Sequence, residues 1–297
     1  MSQEARTPEP TAAHGAARFV IVPQWQASVS SRALRLIDGA EAIRGDLPAS
    51  ATRSVSVPME AGESLGTGVL RFSSILHTHA LATAALSEIS GTAIVIGGDC
   101  GIELAAVEHA IARHANPGGT VAVIWFDAHP DLHSPESSPS GAFTGMVLRA
   151  ILGDGPAQLV SADRIQPRPD QIVLAGVRSS EPAEEEFAQE AGIRALPVEE
   201  LADPGALIAA VQGIGASAVY LHIGLDVLDP GAIFGLDAPV PFGLQLDTLC
   251  QLIKALRGSF PLAGAGLAGF APESPAAAVQ DLPAILRILG ALTAPLP

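Results

Sequence analysis

Val121 to Phe126 is a run of six apolar residues, and it stops abruptly at Asp127. A strand with one wet face alternates apolar and polar residues. An unbroken run of this length reads as a strand buried on both faces, which belongs in a parallel sheet covered by helices. Beyond it come Asp127, His129 and Asp131, spaced two apart. Ligands in open α/β sheets sit outside the carboxyl ends of the strands. Carboxylates alternating with an imidazole offer hard oxygen and borderline nitrogen donors to a divalent cation, and a carboxylate can bridge two such ions. A metal site is the first reading of this stretch. An Asp after a strand also serves as a helix cap, and a loop histidine is often only a hydrogen-bonded surface group. A second acidic strand end weighs against those plainer readings: in YLHIGLDVLDP the apolar run Ala218 to Leu225 closes on Asp226 and Asp229.

Strand and helix patterns alternate along the rest of the chain. Strands are expected at Phe19 to Pro23, Ala93 to Ile96, Gln171 to Val177, Ile193 to Leu196 and Ala263 to Phe270. Helical spacing covers Ser31 to Ile43, Val69 to Ile89, Ile102 to His114, Thr144 to Leu152, Glu184 to Ala191, Pro204 to Gln212, Leu246 to Arg257 and Val279 to Leu292. The pattern predicts a three-layer α/β/α arrangement with a mainly parallel open sheet and right-handed crossovers. With 48% hydrophobic but only 4% aromatic residues, Ala, Val, Leu and Ile must fill its core. Residues 1–18, rich in Ala, Pro, Thr and Glu, read as a disordered tail, and 19–297 as a single domain. The loop Asp127 to Gly141 holds three prolines and four serines without periodicity, and loops this long inside a domain are usually functional.

A net charge of −15 argues against nucleic acid or an anionic membrane as partner and would attract a cationic substrate. Two cysteines, Cys100 and Cys250, make no disulfide framework. No uninterrupted apolar run reaches the roughly 20 residues of a membrane span, and the tail lacks the apolar stretch of a signal peptide, so a cytoplasmic setting is expected.

GGDC (Gly97 to Cys100), DAHPD (Asp127 to Asp131), SPESSPSGAF (Ser134 to Phe143) and LDVLDP (Leu225 to Pro230) together resemble the arginase and agmatinase family, the ureohydrolases. VPQWQ (Val22 to Gln26) and GVRSSEP (Gly176 to Pro182) stand in the order expected of bacterial arginase-like proteins, so the resemblance runs from about Phe19 to the C-terminus. It implies an arginase-like α/β/α domain, homo-trimers or homo-hexamers, and hydrolysis of a guanidinium by water activated between two manganese ions.

Carried over residue by residue, the resemblance makes Asp127, His129, Asp131 and Asp226 metal ligands. Cys100 stands where the family usually has His, which shifts preference from manganese toward zinc, with nickel a further option. Gly224 takes the place of a carboxylate that ties both metals together and offers no donor, weakening the position that relies on Cys100, Asp127 and Asp131. Thr144 replaces a proton-shuttling His, and Gly269 a Glu that grips the guanidinium. Glu273, four residues on, is the carboxylate left to contact substrate, although alignment on the FAP triplet sets it outside the inner contacts. His133 replaces an Asn beside the substrate and joins Asp131 as a candidate for the chemistry, as base or replacement ligand. Ser140 matches a residue near the amino-acid carboxylate. Glu181 is the candidate to read an α-amino group, with the first turn of the next helix as its plainer role.

The expectation is a divalent-metal hydrolase of a linear amidine or guanidine, arginine-like or a modified arginine. The alternative is a catalytically silent homologue with a binding or structural role, favoured by Gly224, Thr144 and Gly269.

Overall fold

A computed structural model describes residues 17–115, 119–160 and 163–295. The expected tail falls almost wholly outside the described residues, and its last position, Arg18, opens a strand instead. The chain alternates strictly: β1 (Arg18–Val22), α1 (Arg35–Gly45), β2 (Thr52–Ser54), α2 (Phe72–Ser87), β3 (Ala93–Gly97), α3 (Glu103–His114), β4 (Val121–Phe126), α4 (Val147–Ile151), β5 (Ile172–Ala175), α5 (Pro182–Glu190), β6 (Arg194–Leu196), α6 (Pro204–Ile214), β7 (Ala218–Gly224), α7 (Leu246–Ser259), β8 (Leu262–Ala268) and α8 (Pro275–Thr293). The strands form one sheet in the order β2-β1-β3-β8-β7-β4-β5-β6, and every pairing is parallel. A helix between each pair of strands forces this, because a parallel neighbour is reached only by a crossover.

Side chains along each strand part to opposite faces with period two. Ile21, Ile94, Ile124 and Leu221 join a core with residues of α1, α6, α7 and α8. Val20, Val95, Val123, Trp125 and Tyr220 join the other core with α2, α3 and α4. All six residues of β4 are buried, as an unbroken apolar run requires.

Caps set the starts of two helices, and at α8 periodicity alone misplaces the start. Ser274 accepts a hydrogen bond from Ala277 N and Pro275 follows at the first helical position, so α8 begins before Val279. Asp203 does the same for α6 through Gly205 N, and Gly215, at φ +72°, ends that helix. Among the described residues α8 is long and apolar enough to cross a membrane, with mean hydropathy 1.3. It departs from the expectation because that counted only uninterrupted runs. Here Ala278, Ile285, Ile288 and Leu289 lie in the core beside α1 and α7.

The carboxyl ends of β3, β4, β7 and β8 meet at one edge. Arg178, just after β5, fastens the chain beyond β7 by donating to the carbonyls of Asp226 at 2.6 Å and Val240 at 2.7 Å.

Candidate metal centre and its cavity

β4 and β7 pair Trp125 with His222 and Phe126 with Ile223, so the next step of the register sets Asp127 beside Gly224. These strand ends form the floor of a cavity of about 330 Å³, whose lining includes Cys100, Asp127, His129, Asp131 and Asp226. Thus the five sequence-derived ligands share one wall system. Asp127 Oδ1 accepts the His129 backbone N–H at 2.7 Å, which folds the turn directly after the strand. His129 Nδ1 then lies 3.0 Å from Asp226 Oδ2 and 3.4 Å from Asp127 Oδ1. Asp131 adopts φ +53°, a left-handed conformation tolerated by Asp, and its carbonyl accepts from Leu148 N and Arg149 N at the start of α4.

Two donor groups result. Asp127, His129 and Asp226 form one; Cys100, Asp127, Asp131 and His222 form the other, with ligand atoms in each within 4.8 Å of one another. Asp127 belongs to both and so sits where a bridging carboxylate would.

The electrostatics are those of a crowded, partly desolvated acid cluster. Burial and the neighbouring Asp127 push the Asp131 carboxyl well above its ordinary range. Burial and the charges of Asp131, Asp127 and Asp226 push the Cys100 thiol up. Burial alone would depress the His129 imidazole, but hydrogen bonds to Asp127 and Asp226 raise it to about 11. Burial likewise raises Asp127, and hydrogen bonds from His129 and His222 overcome that and hold it below the carboxylate range.

Sequence reasoning missed His222 and Glu103. His222 is fully buried inside β7, its Nε2 3.1 Å from Asp127 Oδ2 and its Nδ1 3.0 Å from Glu103 Oε1. Tyr220 donates to the other oxygen, Oε2, at 2.5 Å. Trp125 stacks on the imidazole with ring centroids 3.7 Å apart. The signal was a histidine and a tyrosine in an otherwise apolar strand, which periodicity counts as filler. Three hollows accommodate the group. A Cβ at Gly224 would meet Asp127 Oδ2 at 1.9 Å, one at Gly266 would meet Glu103 Oε1 at 1.7 Å, and one at Gly264 would approach the Tyr220 ring at 3.2 Å.

The residues fit a divalent metal. Asp131 Oδ2 is buried without a hydrogen-bond partner, and the donors are carboxylate, imidazole and thiol, the set that borderline divalent ions prefer. Asp229, by contrast, turns away: it accepts from Gly231 N at 2.9 Å and Phe242 N at 2.8 Å and shapes a surface turn.

Farther up the cavity stand Ser140, Glu181 and His133. His133 is buried, not solvent-facing, and it lies in neither donor group. Its Nδ1 is 3.1 Å from Ser137 Oγ and its Nε2 3.5 Å from both Glu181 Oε2 and Glu184 Oε2. Glu184 was also missed; it accepts from Leu132 N at 3.0 Å and from Glu181 N at 3.0 Å, tying α5 to the histidine's loop. Glu181 holds the N-cap position of α5 and also lines the cavity.

Glu273 does not line this cavity. After Gly269, at φ +90°, Ala271 N bonds to Gly235 O and the chain turns into α8, carrying Glu273 to a separate cavity with Arg32 and Asp281. The carboxylate found next to Gly269 is Asp237, whose backbone N donates to Gly269 O at 3.0 Å. Ser28 Oγ donates to its Oδ2 at 2.8 Å, while Oδ1 is buried without a partner.

Residues 38–281 match the Arginase family. An arginase of Entamoeba histolytica is 33% identical over 164 residues, 54% of this chain and 55% of that protein. A Bacillus subtilis arginase is 32% identical over 158 residues, 51% and 52% of the two. The chain thus spans about half the length of the curated relatives it matches. Among solved structures, the E. histolytica arginase in complex with L-ornithine has TM-score 0.80 at 22% identity, covering 94% of this chain and 98% of its own. The proclavaminate amidino hydrolase of Streptomyces clavuligerus has TM-score 0.69 at 18% identity, covering 96% and 94%. At those identities the structural likeness speaks for the fold, an eight-stranded parallel sheet between helices. With more than three-quarters of its length matched by the family and its strand ends forming that fold's acidic edge, this chain belongs to the arginase family.

Proposed function

We propose that the chain is a metal-dependent hydrolase of C–N bonds in linear amidines, with a guanidine such as arginine or a modified arginine as substrate. The observation that carries the reading is the convergence of Cys100, Asp127, His129, Asp131 and Asp226 on one cavity floor. A bound divalent pair, manganese by family and zinc or nickel by the thiol donor, would polarise the substrate carbon and activate water. Asp127 would hold both ions and His129 one of them. Asp131, buried and without a hydrogen-bond partner at Oδ2, would serve as a ligand or as a proton acceptor on the floor. His133, with Glu184 and Glu181 at its Nε2, is positioned to pass a proton at the cavity wall. That leaves Thr144 without a shuttling duty.

The guanidinium needs a carboxylate, and Gly269 supplies none. Asp237, bonded to Gly269 through its backbone and free at Oδ1, supports the reading as the substitute grip. Ser140 and Glu181 stand at the outer end for the amino-acid portion. Assembly as a homo-trimer or homo-hexamer in the cytoplasm completes the proposal; Phe234 and Phe242, 70% and 85% exposed, are surfaces such an assembly would cover. Neither nucleic acid nor a membrane enters it.

The test is metal content by elemental analysis after loading with manganese, zinc or nickel, followed by urea release from a panel of guanidines and amide release from linear amidines. Turnover with bound metal supports the reading. Metal-free protein without turnover supports the second reading, a silent homologue, which the missing side chains at Gly224, Thr144 and Gly269 favour.

A further inference from the structure

We propose that one ion is held by Cys100, Asp127, Asp131 and His222, with His222 Nε2 replacing the carboxylate that Gly224 cannot offer, and that this rebuilt position takes a zinc-type ion in preference to manganese. The inference rests on the metal-dependent reading above and concerns its ligand set.

Residues 222 and 224 lie on the same face of β7, the face toward α3. With no side chain at 224, Asp127 Oδ2 occupies the space where a Cβ there would be, and that same oxygen is 3.1 Å from His222 Nε2. The imidazole therefore points into the gap from beneath the cavity floor. It is not among the cavity's lining residues, so its ion would be approached by substrate only from the opposite side.

The support behind the ring is that of a metal ligand. Metal-bound histidines typically donate their second N–H to a carboxylate, which fixes the tautomer and the ring plane. Glu103 Oε1 stands 3.0 Å from Nδ1 as an ion pair, and neither atom has another partner. Tyr220 holds the far oxygen of Glu103, and Trp125 clamps the ring face. A buried glutamate, tyrosine and histidine in succession are an expensive way to fill a strand–helix interface, where Leu and Phe would serve. They make sense as a scaffold that delivers one nitrogen to one place.

The second, independent sign is Asp131. It is buried, in a left-handed backbone conformation, with one carboxylate oxygen in the same donor group and Oδ2 without a hydrogen-bond partner. The donors lie within 4.8 Å of one another. Ligand atoms about a tetrahedral zinc stand roughly 3.3–3.8 Å apart, given bonds of about 2.0–2.3 Å, so a contraction of about an ångström closes the site. Thiolate with imidazole and two carboxylates suits zinc or cobalt, whereas manganese favours oxygen.

The experiment loads the full chain with cobalt and counts metal per chain, with the near-ultraviolet thiolate-to-cobalt charge-transfer band as the reporter of Cys100. Wild type is expected to take up two ions and show the band. His222→Ala should keep one ion, at Asp127, His129 and Asp226, and lose the band. If His222→Ala retains both ions and the band, His222 is no ligand and the inference is overturned while the metal reading stands. If wild type binds one ion without the band, the inference is again overturned alone. Wild type that binds none sinks the metal reading itself. Should His222→Ala fail to fold, X-ray absorption of zinc-loaded wild type decides. One imidazole per zinc, averaged over two ions, is expected from His129 and His222, and half that number overturns the inference.

Discussion

Placing an aspartate at position 224 is the obvious way to make this site resemble its relatives, and the surroundings oppose it. The new Cβ would land 1.9 Å from Asp127 Oδ2 and 3.1 Å from Asp226 Oδ1, adding a carboxylate to a cluster whose Asp131 and Asp226 carboxyls are already raised by burial and by the charge of Asp127. Gly224→Asp alone is expected to destabilise the metal-free protein by roughly 1–3 kcal/mol, read as a lower urea midpoint at unchanged slope. Asp237 is the converse case, a carboxylate that lines the cavity with Oδ1 buried and unpaired. Asp237→Asn keeps the bond from Ser28 Oγ and removes the charge. Its expected effect is a rise of about tenfold in the KM for a guanidine substrate with a change of less than about 1 kcal/mol in stability, measured by steady-state kinetics beside a thermal melt. An unchanged KM would take Asp237 out of the guanidinium grip.

Elements are tied together by the same small residues that leave room for these groups. On β8, Gly264 and Gly266 face α3, and Gly266 pairs with His222. Gly266→Ala would press a Cβ to 1.7 Å from Glu103 Oε1, so it should cost about 2 kcal/mol or more, visible as a fall in melting temperature. In the middle of α3, Glu108 holds α2 and the segment beyond α4 through His79 at 3.1 Å and through Arg164. Burial raises the Glu108 carboxyl, but hydrogen bonds from His79 and Arg164 outweigh it and lower it below the ordinary glutamate range. A lowered carboxylate stabilises fully above its unfolded value and loses that contribution as pH falls through the folded value. Melts of wild type and Glu108→Gln over acid pH should therefore differ most near neutrality and converge as pH falls. Most elements were legible in the sequence because burial on both faces writes itself as unbroken apolar runs. β2 was not: it is an edge strand of Thr, Arg and Ser, half exposed, and carries no such signal. In the site, the acidic strand ends were legible by spacing, while Glu103, His222 and Asp237 come together only through the register of β7 with β8 and the crossing of α3.

For the molecule as a whole, an acidic cluster on one edge of the sheet would make a bound metal a folding partner. Binding to the folded state alone contributes about 2.7 kcal/mol at a free concentration a hundredfold above Kd. Chelation of metal-loaded protein should lower its melting temperature, and zinc should restore it; a melt indifferent to both would mean no ion binds the native state. Asp127, Glu103 and the glycines at 224 and 266 also interlock: Asp127 Oδ2 lies where a Cβ at 224 would stand, and Glu103 Oε1 where a Cβ at 266 would stand. Substitutions within this group are therefore not independent of one another, and a side chain gained at 266 fits only where Glu103 is shortened with it.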